Sequence, residues 1–302
     1  MYLPFFKEQG RPKMGLAPLA IEDWIVIDED YCTQLAERQR LLQHRYDDVF
    51  MAQNDTQAAQ KESLMILVSH LLQHHPDTYQ PIDANNGDDY KGKQEGIRNL
   101  KTKQVWRYAD FEKSPLDLAG RLVSEDLCLM MPSAAGYCLA AASVCFPQRW
   151  VLREKFGKPM SQIHQSVPNY TKRLERPVNS VFSRLKEGFP GLRFNWSLVD
   201  SPDLYLAQNR NKTLFDSRIT AENAGARLWL RVERQTIRRM PTSGGILFTI
   251  RTFVYPLSQV VEVPEAAQQL AEAVQVLQKE MQIYKSILPF RAALLEYLRD
   301  VQ

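Results

Sequence analysis

Six arginines, no lysine and a single acid, Glu233, stand between Arg227 and Arg251. A patch built for charge alone would mix Lys with Arg. Guanidinium by itself selects planar, forked donors, which suit carboxylates, phosphates or aromatic faces. The stretch reads RLWLRVERQTIRRMPTSGGILFTIRTFVYPL, two alternating runs around Pro241–Gly245, and predicts a β-hairpin with a loop longer than two residues. Side chains alternate across a strand, so Glu233 shares a face with Trp229, Arg231, Gln235 and Arg239, opposite Leu230 and Val232. Register across the loop stays open, because a slip of one residue exchanges the faces. About half of the arginines read as a solvated strand face: Arg227, Arg234 and one of Arg238 and Arg239. The others read as an anion-recognising wall with one carboxylate set into it.

The second stretch with chemical content is 147–170, PQRWVLREKFGKPMSQIHQSVPNY. Three prolines and a glycine make it irregular, yet Trp150, Phe156, Met160, Ile163 and Val167 make it apolar. A segment of that kind is expected to fold over a pocket. It carries His164, the only histidine beyond residue 75. A lone histidine among apolar residues reads either as a hydrogen-bonded structural residue or as a ligand. His70 and His74, four apart, predict one helix face near a C-terminus. No HExxH glutamate lies between them, so a metal site is not expected there.

Stepping outward, Asp28 or Asp30 starts a helix to about Phe50, and Asn54–Thr56 caps a second to about His75, ended by Pro76. Residues 77–104, rich in Asn, Asp, Gly, Lys and Gln, predict an exposed loop. Then come a short strand at 105–108, a helix at 115–123, and apolar strands at 127–131 and 137–146. The small residues of YCLAAASVCF leave room for something bulky against that last strand. A helix bent at Pro177 is expected over 169–186, and a strand over 192–198. Leu270, Val274, Leu277, Met281, Tyr284 and Leu288 predict one long helix from Pro264, with a last helix over 290–301. The order gives an α+β fold with an antiparallel sheet. Its expected parts are a helical segment 1–76, the loop 77–104, a core 105–260 and C-terminal helices 261–302, forming one compact unit.

Composition narrows the classes. At 302 residues and 44% hydrophobic content the chain can bury a substantial core. A net charge of +3 is too weak to argue for nucleic acid. Four cysteines without CxxC spacing support neither zinc nor an iron–sulfur cluster. Neither GxGxxG nor a P-loop appears. With no secretory h-region and no apolar run of membrane length, the expectation is a cytoplasmic protein without nucleic-acid or membrane partners.

FPQRW and EKFGKPMSQIHQSVPNY (146–170), LRVERQTIRRMPTSGGILFTIRTFVYPL (230–257), RPKMGLAPL (11–19) and LVSEDLCLM (122–130) resemble the haem-dependent oxidative N-demethylase family. The resemblance implies a PAS-like antiparallel sheet enclosing haem b. It also implies O2-dependent demethylation of a small methylated amine such as dimethylamine, with release of formaldehyde, and separate reductase subunits as electron donors. Carried onto this sequence, the histidine of the IHxxVP motif is His164, the expected axial ligand of the iron. Arg238, Arg239 and Arg251 are then the expected partners of the haem propionates, and Glu233 the expected holder of an alkylammonium substrate or carrier of a proton. Two other readings remain. One is a PAS-like haem or small-ligand sensor without turnover. The other is an interaction protein whose arginine hairpin grips an acidic partner.

Overall fold

A computed structural model of the protein describes residues 1–7, 16–83, 94–168, 180–182, 184–207 and 215–301. The expected α+β architecture is present. Its centre is a seven-stranded antiparallel sheet in the order β1-β8-β9-β10-β6-β7-β2: β1 (Ala17–Pro18), β2 (Phe50–Ala52), β6 (Asp126–Ser133), β7 (Gly136–Ser143), β8 (Gly191–Val199), β9 (Trp229–Arg239) and β10 (Ile246–Pro256). The predicted hairpin is the long central pair, with Ile246 opposite Arg239 and Pro256 opposite Trp229. That register places Leu230, Val232, Arg234, Thr236 and Arg238 on one face with Leu247, Thr249, Arg251, Phe253 and Tyr255. Arg231, Glu233, Gln235, Ile237 and Arg239 share the other with Ile246, Phe248, Ile250, Thr252 and Val254.

Helices from both ends of the chain cover the first face. From the N-terminal side, Leu35, Leu41, Leu64, Leu67 and Leu71 pack with Leu127, Leu129, Ala141 and Leu247. They come from the Tyr31–His44 and Gln57–His74 helices. From the C-terminal side, Leu257, Leu270, Val274, Leu294 and Leu298 pack with Trp196, Leu230, Val232 and Phe253. The second face meets 147–167 and 180–185, where Leu152, Met160, Ile163, Val167, Phe182 and Leu185 close over Cys128, Met130, Leu139, Ala142, Ile237 and Ile246. The molecule thus has three layers: helices, sheet and an irregular apolar cover.

Several expectations are corrected. Residues 77–104 are not one exposed loop. Tyr79–Asp83 and Gln94–Asn99 are strands β3 and β4, which join β5 (Val105–Arg107) in a separate three-stranded sheet. Residues 84–93, where Asn and Gly concentrate, lie outside the described residues. The long C-terminal helix is two, Ala266–Gln275 and Lys279–Tyr284. The break lets Leu277 stay in the core while Gln282 donates back to the Leu277 carbonyl at 2.7 Å. The first helix stops at His44, and Phe50–Ala52 becomes the edge strand β2 rather than a last helical turn. Most of the helix expected over 169–186 lies outside the described residues; Ser180–Phe182 and Arg184 are helical.

Layers are tied by buried charge. Arg38, on the Tyr31–His44 helix and fully buried, donates to Asp126 Oδ1 at 2.6 Å and to the Ser124 carbonyl at 3.2 Å. The same carboxylate accepts the backbone N–H groups of Cys145 (2.7 Å) and Phe146 (3.1 Å), so one residue joins the start of β6, the end of β7 and the helix. Removing one partner of such a pair strands the other charge in a medium that cannot solvate it. Arg38→Met should therefore lower the unfolding free energy by about 3–5 kcal/mol in urea titrations. Arg40→Met, whose pair with Glu37 is solvent-facing, should leave the midpoint unchanged. Equal midpoints for the two variants would refute this account of the layer contact.

Candidate functional site

The irregular cover is less loose than its sequence suggests. Gly157, at φ +73°, makes a turn that L-residues resist, and its N–H donates to the Leu139 carbonyl at 2.9 Å. Leu139 returns a bond to the Lys158 carbonyl at 3.1 Å, and Cys138 bridges Pro159. The cover is thereby stapled to β7. From the staple runs the one-turn helix Met160–Ile163, with the Lys155 ammonium donating to the Ile163 carbonyl. His164 follows at once.

The His164 ring is held at Nδ1, 3.0 Å from the Met160 carbonyl oxygen. A carbonyl only accepts, so Nδ1 carries the proton and the lone pair of the neutral ring lies on Nε2. Desolvation is the main reason the pKa of this ring falls to about 4; the positive charges of Arg193 and Lys155 push the same way, and the Met160 bond opposes them only in part. At neutral pH the residue is a neutral imidazole with one nitrogen anchored, the form in which histidine binds iron.

Glu233 stands on the same side of the sheet. Two amides converge on its Oε2, Gln235 Nε2 at 2.8 Å and Asn195 Nδ2 at 3.3 Å. The orientation of Asn195 is set from behind, because the buried Lys285 ammonium donates to its Oδ1 at 3.4 Å and to the Trp196 carbonyl. An ammonium has no acceptor, so the Asn195 carbonyl must face it and the NH2 must face Glu233. Oε1 of Glu233 takes no hydrogen bond among the described residues. Tyr284 ends its helix within electrostatic reach of Glu233 and Arg193, and its hydroxyl pKa is pushed up to about 12, chiefly by burial and then by Glu233.

The hairpin arginines do not assemble here. Arg239 is on this face, but Nε donates to the Leu185 carbonyl (2.7 Å), Nη1 to Gly244 (3.1 Å) and Nη2 to Phe182, so it fastens 182–185 to the hairpin. Arg238 and Arg251 point to the opposite face. Arg251 is fully buried, paired with Asp28 at 2.7 Å and bonded to Gln34; Arg238 lies over the Trp24 ring at 4.5 Å. The sheet separates both from His164. The guanidinium in electrostatic reach of His164 is Arg193 of β8.

Arg193, Asn195, Gln235 and Tyr284 were not singled out from the sequence. A signal for the first two existed: LRFNWSL alternates Arg193, Asn195 and Ser197 with Phe194, Trp196 and Leu198, a polar face on a strand expected to pair with the hairpin. Tyr284 was hidden because it fits the apolar seam of a helix. Among the described residues no three His, Cys, Asp or Glu side chains gather to hold a bare metal ion, whereas haem asks the protein for only one or two ligands. The small and aliphatic wall of Leu139, Ala142, Ile237 and Ile246, with one anchored neutral histidine and a cation nearby, is chemistry that fits a haem.

Comparison with protein families agrees with that fit. Residues 15–295 match the family described as haem-dependent oxidative N-demethylase, alpha subunit-like. The chain belongs to this family. An alpha subunit of a haem-dependent N-demethylase implies further subunits, and no helix among the described residues is long and apolar enough to cross a membrane.

The anchored imidazole of this N-demethylase-like chain has a titration consequence. Folded apo-protein protonates His164 near pH 4, whereas the unfolded chain does so near 6.5. Between those values the unfolded state binds more protons, so stability is full above about 6.5 and falls as pH drops toward 4. His164→Gln cannot titrate and should flatten that part of the acid-unfolding profile. A ring titration of His164 near 6.5 by NMR would contradict the buried, anchored geometry.

Proposed function

We propose that this chain is the haem b-binding catalytic subunit of a cytoplasmic monooxygenase that demethylates a small methylated amine of the dimethylamine type, using O2 and releasing formaldehyde. The observation that carries the proposal is the pairing, on one side of the sheet, of an Nδ1-anchored neutral His164 with a Glu233 whose second oxygen is held by two amides. Family membership supplies the haem dependence and the reaction class.

Bound haem supplies the oxidation of the N-methyl group. His164 would ligate the iron through Nε2, and Arg193 would face the anionic propionates in place of the hairpin arginines. The wall around Ala142 and Leu139 excludes water from the reacting methyl group. Glu233 would bind the alkylammonium through Oε1 while Gln235 and Asn195 hold Oε2, so the carboxylate stays in one orientation as the amine arrives. Once the methyl carbon bears a hydroxyl, C–N cleavage needs a proton moved from that hydroxyl to the departing nitrogen. Glu233 would carry that transfer. The chain has no flavin or ferredoxin motif, so electrons would come from separate reductase subunits, in keeping with its alpha-subunit family. Four free cysteines suit a reducing compartment.

The test is a visible spectrum of protein produced with a haem precursor, followed by a formaldehyde assay with dimethylamine, O2 and a reductant. A Soret band that shifts on reduction is expected in the parent and should be lost or altered in His164→Ala. Glu233→Gln should keep the band and lower kcat/KM by about 100-fold. A folded protein that takes up no haem would end the proposal, and haem binding without turnover of any methylated amine would reduce it to a sensor.

A further inference from the structure

On the helical face, away from His164, three side chains beside Arg238 leave buried polar atoms unmatched. Trp24 is fully buried and its Nε1–H has no acceptor; His70 is 4% exposed and neither ring nitrogen has a partner; His75 leaves Nε2 unmatched. Buried polar atoms almost always find a protein or solvent partner, and a cluster that does not marks a missing group. These atoms are neighbours. The Trp24 and His70 rings meet edge-on at 5.1 Å, His75 is 5.6 Å from His70, and the Arg238 guanidinium carbon is 4.5 Å from the Trp24 ring centre.

The chemistry of the missing group follows from the inventory. Indole N–H and guanidinium donate only, and the neutral His70 ring offers one donor and one acceptor. His75 donates to the Ile25 backbone, so its Nε2 is an acceptor. The donors of Trp24, His70 and Arg238 therefore need an acceptor, while the imidazole lone pairs take a hydroxyl or water. Arg238 makes no hydrogen bond or ion pair among the described residues, and desolvation, with no carboxylate to offset it, lowers its pKa. Charge is unbalanced in the same sense around His70, where Arg238, His74 and His75 all oppose protonation and no acid favours it. The C-terminal end of the Gln57–His74 helix contributes a partial negative charge of roughly half a unit, less than the one full charge of the guanidinium. The local balance is positive.

The site is also built and reachable. Arg234 donates to the Trp24 carbonyl at 3.1 Å and to that of Asp23, which pins the Trp24 segment to β9. Trp24 and His70 form a buried floor, and His74, His75 and Arg238 form a partly exposed rim. We infer that Trp24, His70 and Arg238 form a binding site for a small oxyanion, a phosphate or carboxylate group, on the face of the sheet opposite His164. This site does not depend on the proposed catalytic reading, since it lies across the sheet and uses none of the same residues.

Calorimetric titration of the haem-loaded protein with inorganic phosphate, and separately with acetate, at constant ionic strength held by chloride, tests the inference. Saturable binding of one or both is expected, and which of them binds identifies the class of oxyanion. Arg238→Gln should weaken that binding by about 10-fold or more, the loss of one charge-assisted contact. Trp24→Phe keeps an aromatic side chain but removes the N–H together with the five-membered ring, and should weaken it several-fold. The visible spectrum should be the same in all three proteins, which controls for folding and separates this site from His164. Absence of saturable binding in the parent, or equal affinity in parent and both variants, would overturn the inference and leave ordered water as the partner of these atoms.

Discussion

The register between β9 and β10 decides which side of the protein each arginine of the hairpin serves. With Ile246 opposite Arg239, period-two alternation sends Arg234, Arg238 and Arg251 toward the helices, and Arg231, Glu233 and Arg239 toward the irregular cover. A slip of β9 by one residue would send Arg234 and Arg238 to the other face. It would also drive Val232 out of the C-terminal helix core, where it is buried against Phe253 and the helices. The apolar side chains therefore select the register, and the charged ones follow. The cross-strand pair Thr236 and Thr249, with hydroxyls 2.6 Å apart at the centre of the hairpin, is compatible with that register alone.

Each buried guanidinium then acts as a tie between layers. Arg231 reaches the Phe146 carbonyl at 2.7 Å and those of Asp203 and Leu204, holding two loops beneath the sheet with Glu233 and Asp126 in electrostatic reach. Arg234 and Arg239 do the same for 23–24 and 182–185. A guanidinium suits this use because one planar fork satisfies several carbonyl acceptors in fixed directions, where an ammonium would pivot. The preference for Arg over Lys in the hairpin thus has a structural cause, different from the anion-recognising role read from its composition. Among the described residues of β9 and β10, Arg238 is the one arginine without such a set of acceptors, and this is why the oxyanion proposal rests on it.

The sequence carried the class of fold well, because strand alternation and helix seams are local patterns. The hairpin and the apolar cover around 147–167 were readable from periodicity and composition. What was not readable depended on partners distant in the chain. Whether a given arginine meets a cofactor or a carbonyl is settled by Phe182, Leu185 or Asp28, residues 54 to 223 positions away in sequence. Asn195 and Lys285 likewise matter only through each other. The strands at 79–83 and 94–99 were missed because their residues are polar and short of β-branched side chains; their pairing, not their propensity, makes them strands.

The division of charge between the two faces bears on how a haem site of this kind works. The helical face holds Arg234, Arg251, Glu125 and Asp28 in one electrostatic group, where burial raises the pKa of Glu125 and Arg251 lowers it only in part. On the cover side Glu233 is hydrogen-bonded by neutral amides and stands in electrostatic reach of the buried Arg231, while Arg193 is the cation in reach of both His164 and Tyr284. A carboxylate clamped by a salt bridge would have little attraction left for an incoming ammonium. One held by amides is fixed in position without a direct ion pair, which is what the proposed function asks of Glu233. Placing the strong ion pairs behind the sheet and hydrogen-bonding neutrals in front of it lets the same hairpin supply rigidity to one face and an unspent carboxylate to the other.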